Sequence, residues 1–150
     1  MDVSALTQNR KNIARWEHFE HGSDIGVRGI GASMAEAFEQ AAVALTAVIT
    51  DPSKVVDKEE IRIERAAADR EALLVEWLNA VVYEMAVRRM IFRRFHVAFV
   101  GNGLMGRAWG EEIDVARHEP AVEVKGATYT SLSVSQKRDG VWVAQCVVDV

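Results

Sequence analysis

WEHFEHGSDIGVRGIG, residues 16–31, is the stretch from which the rest of the chain is read. Trp16, His18 and Glu20 alternate with Glu17, Phe19 and His21, the period of two expected of a strand with two unlike faces. A turn follows, His21-Gly22-Ser23-Asp24, and then a second run of Ile25, Val27 and Ile30 punctuated by Gly26, Gly29 and Gly31. Two short apolar runs about a polar turn predict a strand pair that holds a histidine and an acid at its end. The glycines permit tight or left-handed backbone, so turn and bulge duty is expected of them. A phosphate-cradling loop is the sharper alternative, but no Lys-Ser or Lys-Thr follows and the spacing fits neither nucleotide fingerprint.

The complement of this stretch is the far end of the chain, Cys146-Val147-Val148-Asp149-Val150, a short strand closing on a carboxylate side chain and the chain terminus. On spacing alone the plainer account is preferred: Asp24 caps a turn, where Asp is common, and Asp149 keeps the end soluble.

Composition bounds what such a chain can be. Its 150 residues suit one domain, which at this size buries about 70% of its unfolded surface on folding. Hydrophobic residues make up 49% and the formal net charge is −4, which argues against disorder and against a globally basic nucleic-acid coat. Any contact with RNA must therefore be local or indirect. The one cysteine, Cys146, cannot form an intramolecular disulfide or a cysteine cage for zinc, and its apolar surroundings predict a small core residue. No segment approaches the roughly 20 apolar residues of a membrane span, and the start of the chain lacks a long apolar core. A soluble, cytoplasmic protein is expected, without membrane contact.

Residues 1–15 are polar around a few apolar positions and predict a mobile N-terminal tail or short leader. Ser33 and Glu36 form a capping box that opens a helix, with Phe38, Ala41, Ala42, Leu45, Val48 and Ile49 on one face; Asp51-Pro52 ends it. Ile61 and Ile63 alternate with Arg62 and Glu64 in a half-buried strand. Asp69 caps a second helix whose stripe, Leu73 to Met85, is core rather than a cofactor box. Gly101-Asn102-Gly103 joins two strands in a hairpin, and Glu111 to Glu119 is a polar stretch before Pro120. Val122, Val124, Ala127 and Tyr129 begin another long strand, and Val141 to Val148 close the sheet after a turn. Two helices against six or seven strands predict a two-layer α+β domain.

Between the second helix and the hairpin lies Arg88-Arg89-Met90-Ile91-Phe92-Arg93-Arg94-Phe95. Arginines interleaved with aromatics can hold single-stranded RNA by charge and stacking. The preferred account is again plainer: cations favour a helix C-terminus, and the aromatics of the next strand point inward. A basic docking face for an acidic protein is a third account.

Taken in order, WEHFEHGSDIGVRGIG, SMAEAFEQAAVAL, DREALLVEWLNAVVYE, GEEIDVARHEPAVEVKGATYTSL and WVAQCVVDV resemble archease, the small protein that activates RtcB-type RNA ligases, from about Trp16 to Val150. The resemblance implies one domain over residues 16–150, with a mixed, mostly antiparallel sheet and two main helices packed on one face. It implies a divalent-cation site built from the acid of a His-x-x-Asp turn, the acid next to last in the chain and the last residue. Carried over, these are Asp24, Asp149 and Val150, the last through its carboxylate or main-chain oxygen. Such hard oxygens suit Ca²⁺, Mg²⁺ or Mn²⁺ better than zinc. His21 and Glu20 are candidates to orient the turn.

The resemblance also implies an accessory protein with no chemistry of its own. It would promote guanylylation of an RtcB-type ligase and repeated RNA joining in tRNA splicing or RNA repair, meeting RNA through the ligase; a chaperone role has also been assigned to the family. The chain departs from the family pattern in two places. Gly22-Ser23 stands where Thr-Ala is usual, and the late Thr-Tyr-His is Thr128-Tyr129-Thr130. Two rivals stand beside this reading. A metal-dependent phosphoesterase would use the same acids with His21 or His118 as base, although two-metal sites need a denser ligand set, and Ser23 sits in no nucleophile-elbow motif. An RNA-binding module would use Arg88, Arg89, Arg93 and Arg94.

Overall fold

The structure, a computed structural model, describes residues 13–150. Most of the expected N-terminal tail falls on residues 1–12, outside the described residues, and Arg15 already opens the first strand.

β1 (Arg15–His21) and β2 (Asp24–Gly31) pair antiparallel with His21 opposite Asp24. Gly22 in their turn has φ 60, the left-handed backbone that a two-residue hairpin demands. The other glycines of the stretch do a different job. A Cβ at Gly29 would lie 2.0 Å from the Ala37 carbonyl oxygen, so its missing side chain lets the first helix lie directly on the strand. The expected turn and bulge duty thus holds for Gly22 and is replaced by close packing at Gly29.

That helix, α1 (Met34–Ile49), starts at Ser33 as expected, with the Glu36 carboxylate reaching back one residue beyond the cap. Ser33 Oγ accepts the Glu36 N–H at 3.1 Å, and Glu36 Oε1 accepts the Ala32 N–H at 2.8 Å. α2 (Arg70–Arg88) is capped by Asp69, which accepts the Ala72 N–H at 2.8 Å, and it ends on Arg89 in left-handed backbone with Arg88 in the last turn. β3 (Glu59–Ala66) precedes α2; β4 (Met90–Val100), β5 (Gly103–Glu112) and the short α3 (Val115–His118) follow it. β6 (Gly126–Ala127), β7 (Ser133–Gln136) and β8 (Trp142–Asp149) complete the described chain.

The α+β architecture with two main helices is as expected, but the strands divide into two antiparallel sheets. One has the order β1-β2-β8-β6, with β7 also on β8; the other is β3-β5-β4. The division follows from partner choice. β4 and β5 close locally through the Gly101-Asn102 turn and take β3 alongside, whereas β8 returns across the whole chain to β2. The long strand expected over Val122–Tyr129 shrinks to Gly126–Ala127. Side chains and loops claim the neighbouring amides: the Ala121 N–H just ahead of the segment donates to Ile49 O at 2.8 Å and the Ala127 N–H to Asn79 Oδ1 at 2.8 Å.

Both helices touch both sheets, and one continuous apolar cluster fills the space between them. Trp77 of α2 is fully buried, donates its indole N–H to Phe38 O at 3.1 Å and meets Phe95 edge-on at 5.9 Å. Burying such a ring removes roughly 150–250 Å² from water, an upper contribution of about 4–6 kcal/mol. α1 also satisfies the edge strand β4, which would otherwise present unpaired backbone groups. Thr46 Oγ1 donates to Phe92 O at 2.7 Å, and Glu39 accepts the Val97 N–H at 2.9 Å. Burial holds the Glu39 carboxyl above its usual range, against the opposing pull of that hydrogen bond. Among the described residues, no helix is long and apolar enough to cross a membrane.

Candidate metal centre

The acid of the first turn and the acid near the chain end meet because of one strand register. β2 and β8 pair with Ile25 opposite Val148, which sets Asp24 against Asp149 at the sheet end. Side chains alternate along a strand, so both carboxylates project from the face opposite to Ile25 and Val148. Val148 is fully buried in the core. Asp24 is half-buried and Asp149 exposed. The Val150 N–H points at Asp24 Oδ1, 3.4 Å away, and the Asp149 carbonyl oxygen accepts the Lys125 N–H at 2.8 Å. His21 is opposite Asp24 in the β1–β2 register and is exposed, as are Glu20 and Ser23.

These donors fit a hard cation by type. Two carboxylates and the main-chain oxygens beside them are all oxygen ligands, the set that Ca²⁺, Mg²⁺ and Mn²⁺ prefer. Among the described residues, no group of three or more His, Cys, Asp or Glu side chains is placed to hold a metal ion. A cation here would draw on two side-chain carboxylates, on Val150 and on water, so its binding would be modest and open to a partner's oxygens.

The structure separates the other sequence candidates from this end. His118 is fully buried: its Nε2 lies 3.1 Å from Glu111 Oε2, and its Nδ1 accepts the Asp114 N–H at 2.8 Å. Both ring nitrogens are engaged, so it is not available as a base for an outside substrate. Cys146 is buried, and burial pushes its thiol up to about 12, which leaves it inert, as its apolar run predicts.

Three of the four arginines in the run have partners within the chain. Arg88 pairs with Glu84 at 2.5 Å, Arg93 donates to Val55 O at 3.3 Å, and Arg94 pairs with Asp57 at 2.9 Å while lying 3.8 Å over the Trp109 ring. Phe92 and Phe95 are core residues, as the inward-pointing account expects, and offer no surface for base stacking.

One feature was invisible in the sequence. The stretch from Glu111 to Glu119 reads only as polar, yet Glu111 is 3% exposed and accepts hydrogen bonds from Arg117 Nη1 at 2.9 Å, Arg117 Nη2 at 2.6 Å and the Val56 N–H at 2.7 Å. Thr50 Oγ1 donates to the His118 carbonyl. This buried knot ties the polar segment to the end of α1.

The model of the Archease protein family (MTH1598/TM1083) matches residues 16–150. The chain is 41% identical to protein archease of Pyrococcus abyssi (strain GE5 / Orsay) over 142 residues, 92% of this chain and 100% of that protein. It is 40% identical to protein archease of Pyrococcus furiosus (strain ATCC 43587 / DSM 3638 / JCM 8422 / Vc1) over the same length and the same shares of both chains. Its fold is similar to the solution structure of Methanobacterium thermoautotrophicum protein 1598, with a TM-score of 0.78 and 33% identity, covering 90% of this chain and 98% of that one. A match along the described domain in sequence and in fold leaves one conclusion: the chain belongs to the archease family.

Proposed function

We propose that this protein is an accessory factor that activates an RtcB-type RNA ligase, promoting guanylylation of the ligase and multiple-turnover RNA joining in tRNA splicing or RNA repair. Membership of the archease family supports an accessory role. The ligase as partner and the guanylylation step are this reading's own content. In it, Asp24, Asp149 and Val150 hold a divalent cation, Ca²⁺, with Mg²⁺ or Mn²⁺ as alternatives in the cell.

The observation that carries the reading is the β2–β8 register, which sets two carboxylates at one open sheet end with main-chain oxygens beside them. Neither acid is drawn into an ion pair with a described cation. A bound divalent cation would supply concentrated positive charge with coordination positions open to phosphate oxygens. The chain's own part is to hold the donors at a sheet end where a partner's nucleotide site can reach them.

The test is multiple-turnover RNA joining by an RtcB-type ligase with GTP and Mn²⁺, comparing no addition, this protein and its Asp149→Ala variant. Strong stimulation that Asp149→Ala loses is expected. A folded wild-type protein that leaves the ligase unchanged would overturn the reading, and equal Ca²⁺ uptake by wild type and Asp149→Ala in calorimetry would remove the metal site.

A further inference from the structure

The acid end is held from two sides, and the second side depends on one helix residue. β2 pairs with β8 only as far as Ile25–Val148, so the last two residues lie beyond the end of that ladder. Asp149 is gripped instead by the segment around β6, which also holds Val147. The Lys125 N–H donates to Asp149 O at 2.8 Å, the Thr128 N–H to Val147 O at 2.9 Å and the Val147 N–H to Thr130 O at 3.1 Å. β6 itself is two residues long and lies at the sheet edge. A strand that short has too few ladder bonds to hold its own position.

What anchors it is Asn79, on α2. The Ala127 N–H donates to Asn79 Oδ1 at 2.8 Å, and Asn79 Nδ2 donates to Ala127 O at 3.3 Å. The side-chain amide therefore acts as a further peptide unit alongside β6, meeting both backbone groups that Ala127 turns away from β8. Only an amide of this length has a donor and an acceptor in that fork. Gly126 keeps the approach open, since a Cβ there would lie 3.0 Å from Asn79 Oδ1.

We infer that Asn79 is a positioning residue for the acid end: by clamping Ala127 it fixes β6, and through β6 the Asp149 main chain that leads into Val150. The consequence for cation binding rests on the proposed function above; the positioning itself does not. Asn79 touches none of the three donors and acts through Ala127, in the manner of outer-shell groups that orient ligands they support.

The experiment measures two quantities on wild type, Asn79→Ala and Gly126→Ala: amide hydrogen exchange, residue by residue, and Ca²⁺ binding by calorimetry. In folded Asn79→Ala, exchange should accelerate at Lys125, Thr128, Val147 and Val150 while the β3-β5-β4 sheet keeps its protection, and Ca²⁺ affinity should fall about tenfold. Gly126→Ala crowds the same contact from the strand side and should move both readouts the same way by less; it decides the matter if Asn79→Ala does not fold. Folded Asn79→Ala with wild-type exchange at those amides would overturn the inference. Faster exchange with unchanged Ca²⁺ affinity would overturn its extension to the cation. Wild type that takes up no Ca²⁺ would sink the metal reading alone, and exchange would still decide the role of Asn79.

Discussion

Replacing Arg117 with Met should expose the energetics of the buried Glu111 knot. Arg117 gives the Glu111 carboxylate two charge-assisted hydrogen bonds, at 2.6 and 2.9 Å, and these are the main reason its pKa falls to about 2 against the opposing effect of burial. Without them the carboxylate stays 3% exposed, with only the Val56 N–H, His118 and the distant Lys58 Nζ at 4.0 Å. Removing one partner of a buried pair costs about 3–5 kcal/mol. The Arg117 side chain is 43% exposed, so water already screens part of the pair and the low end, about 3 kcal/mol, is expected. In a chain of this size that lowers Tm by about 6–12 °C.

The dependence on pH makes the test specific. Glu111 titrates lower in the folded chain than in the unfolded one, so its stabilising contribution is fully present above about 4.5 and is lost as pH falls towards about 2. In Arg117→Met, burial is offset chiefly by the Val56 N–H and His118, so protonating Glu111 harms the variant less than it harms wild type. The stability gap between the two proteins should therefore narrow as pH falls from 5 towards 3. Guanidinium denaturation followed by tryptophan fluorescence, with Trp77 as the buried reporter, measures the gap at each pH. A gap below about 1 kcal/mol at pH 7, or one that stays constant down to pH 3, would refute the reasoning.

Three further outcomes are expected. Asp149→Ala should leave the denaturation midpoint within about 0.5 kcal/mol of wild type, because the side chain is exposed; a large loss would mean that the acid is structural. Gly29→Ala should cost at least about 1–3 kcal/mol, since its methyl would fall 2.0 Å from the Ala37 carbonyl oxygen, and a fully stable variant would show that α1 can lift off β2. Cys146 should react with a thiol reagent at pH 8 only as fast as the protein unfolds, given its burial and raised pKa; fast labelling of the native protein would contradict that placement.

Much of this fold was legible along the chain because its signals are local. Ser33 with Glu36 and Asp69 mark the two helix starts within a turn of the amides they cap. Ile61 and Ile63, alternating with charged neighbours, reveal a strand with one buried face. Asp24 and Asp149 were identified as candidates through family resemblance; spacing alone left them as a turn cap and a soluble end.

Other features depend on residues distant in sequence, and only the tertiary structure decided them. The β2–β8 register joins residues more than 100 positions apart, and a slip of one would put Asp24 and Asp149 on opposite faces of the sheet. Two sheets in place of one follow from which strands find which partners, a choice that a two-residue period leaves open. Val122–Tyr129 has strand-like composition but forms a ladder over two residues: the Ala121 amide just ahead of it is claimed by Ile49, and the Ala127 amide by Asn79. Glu111, Arg117 and His118 look only like a polar run until α1 and Val56 close over them. A cap or a period is set by neighbours along the chain, whereas register, burial and the partner of a polar group are set by packing between segments that meet only after folding.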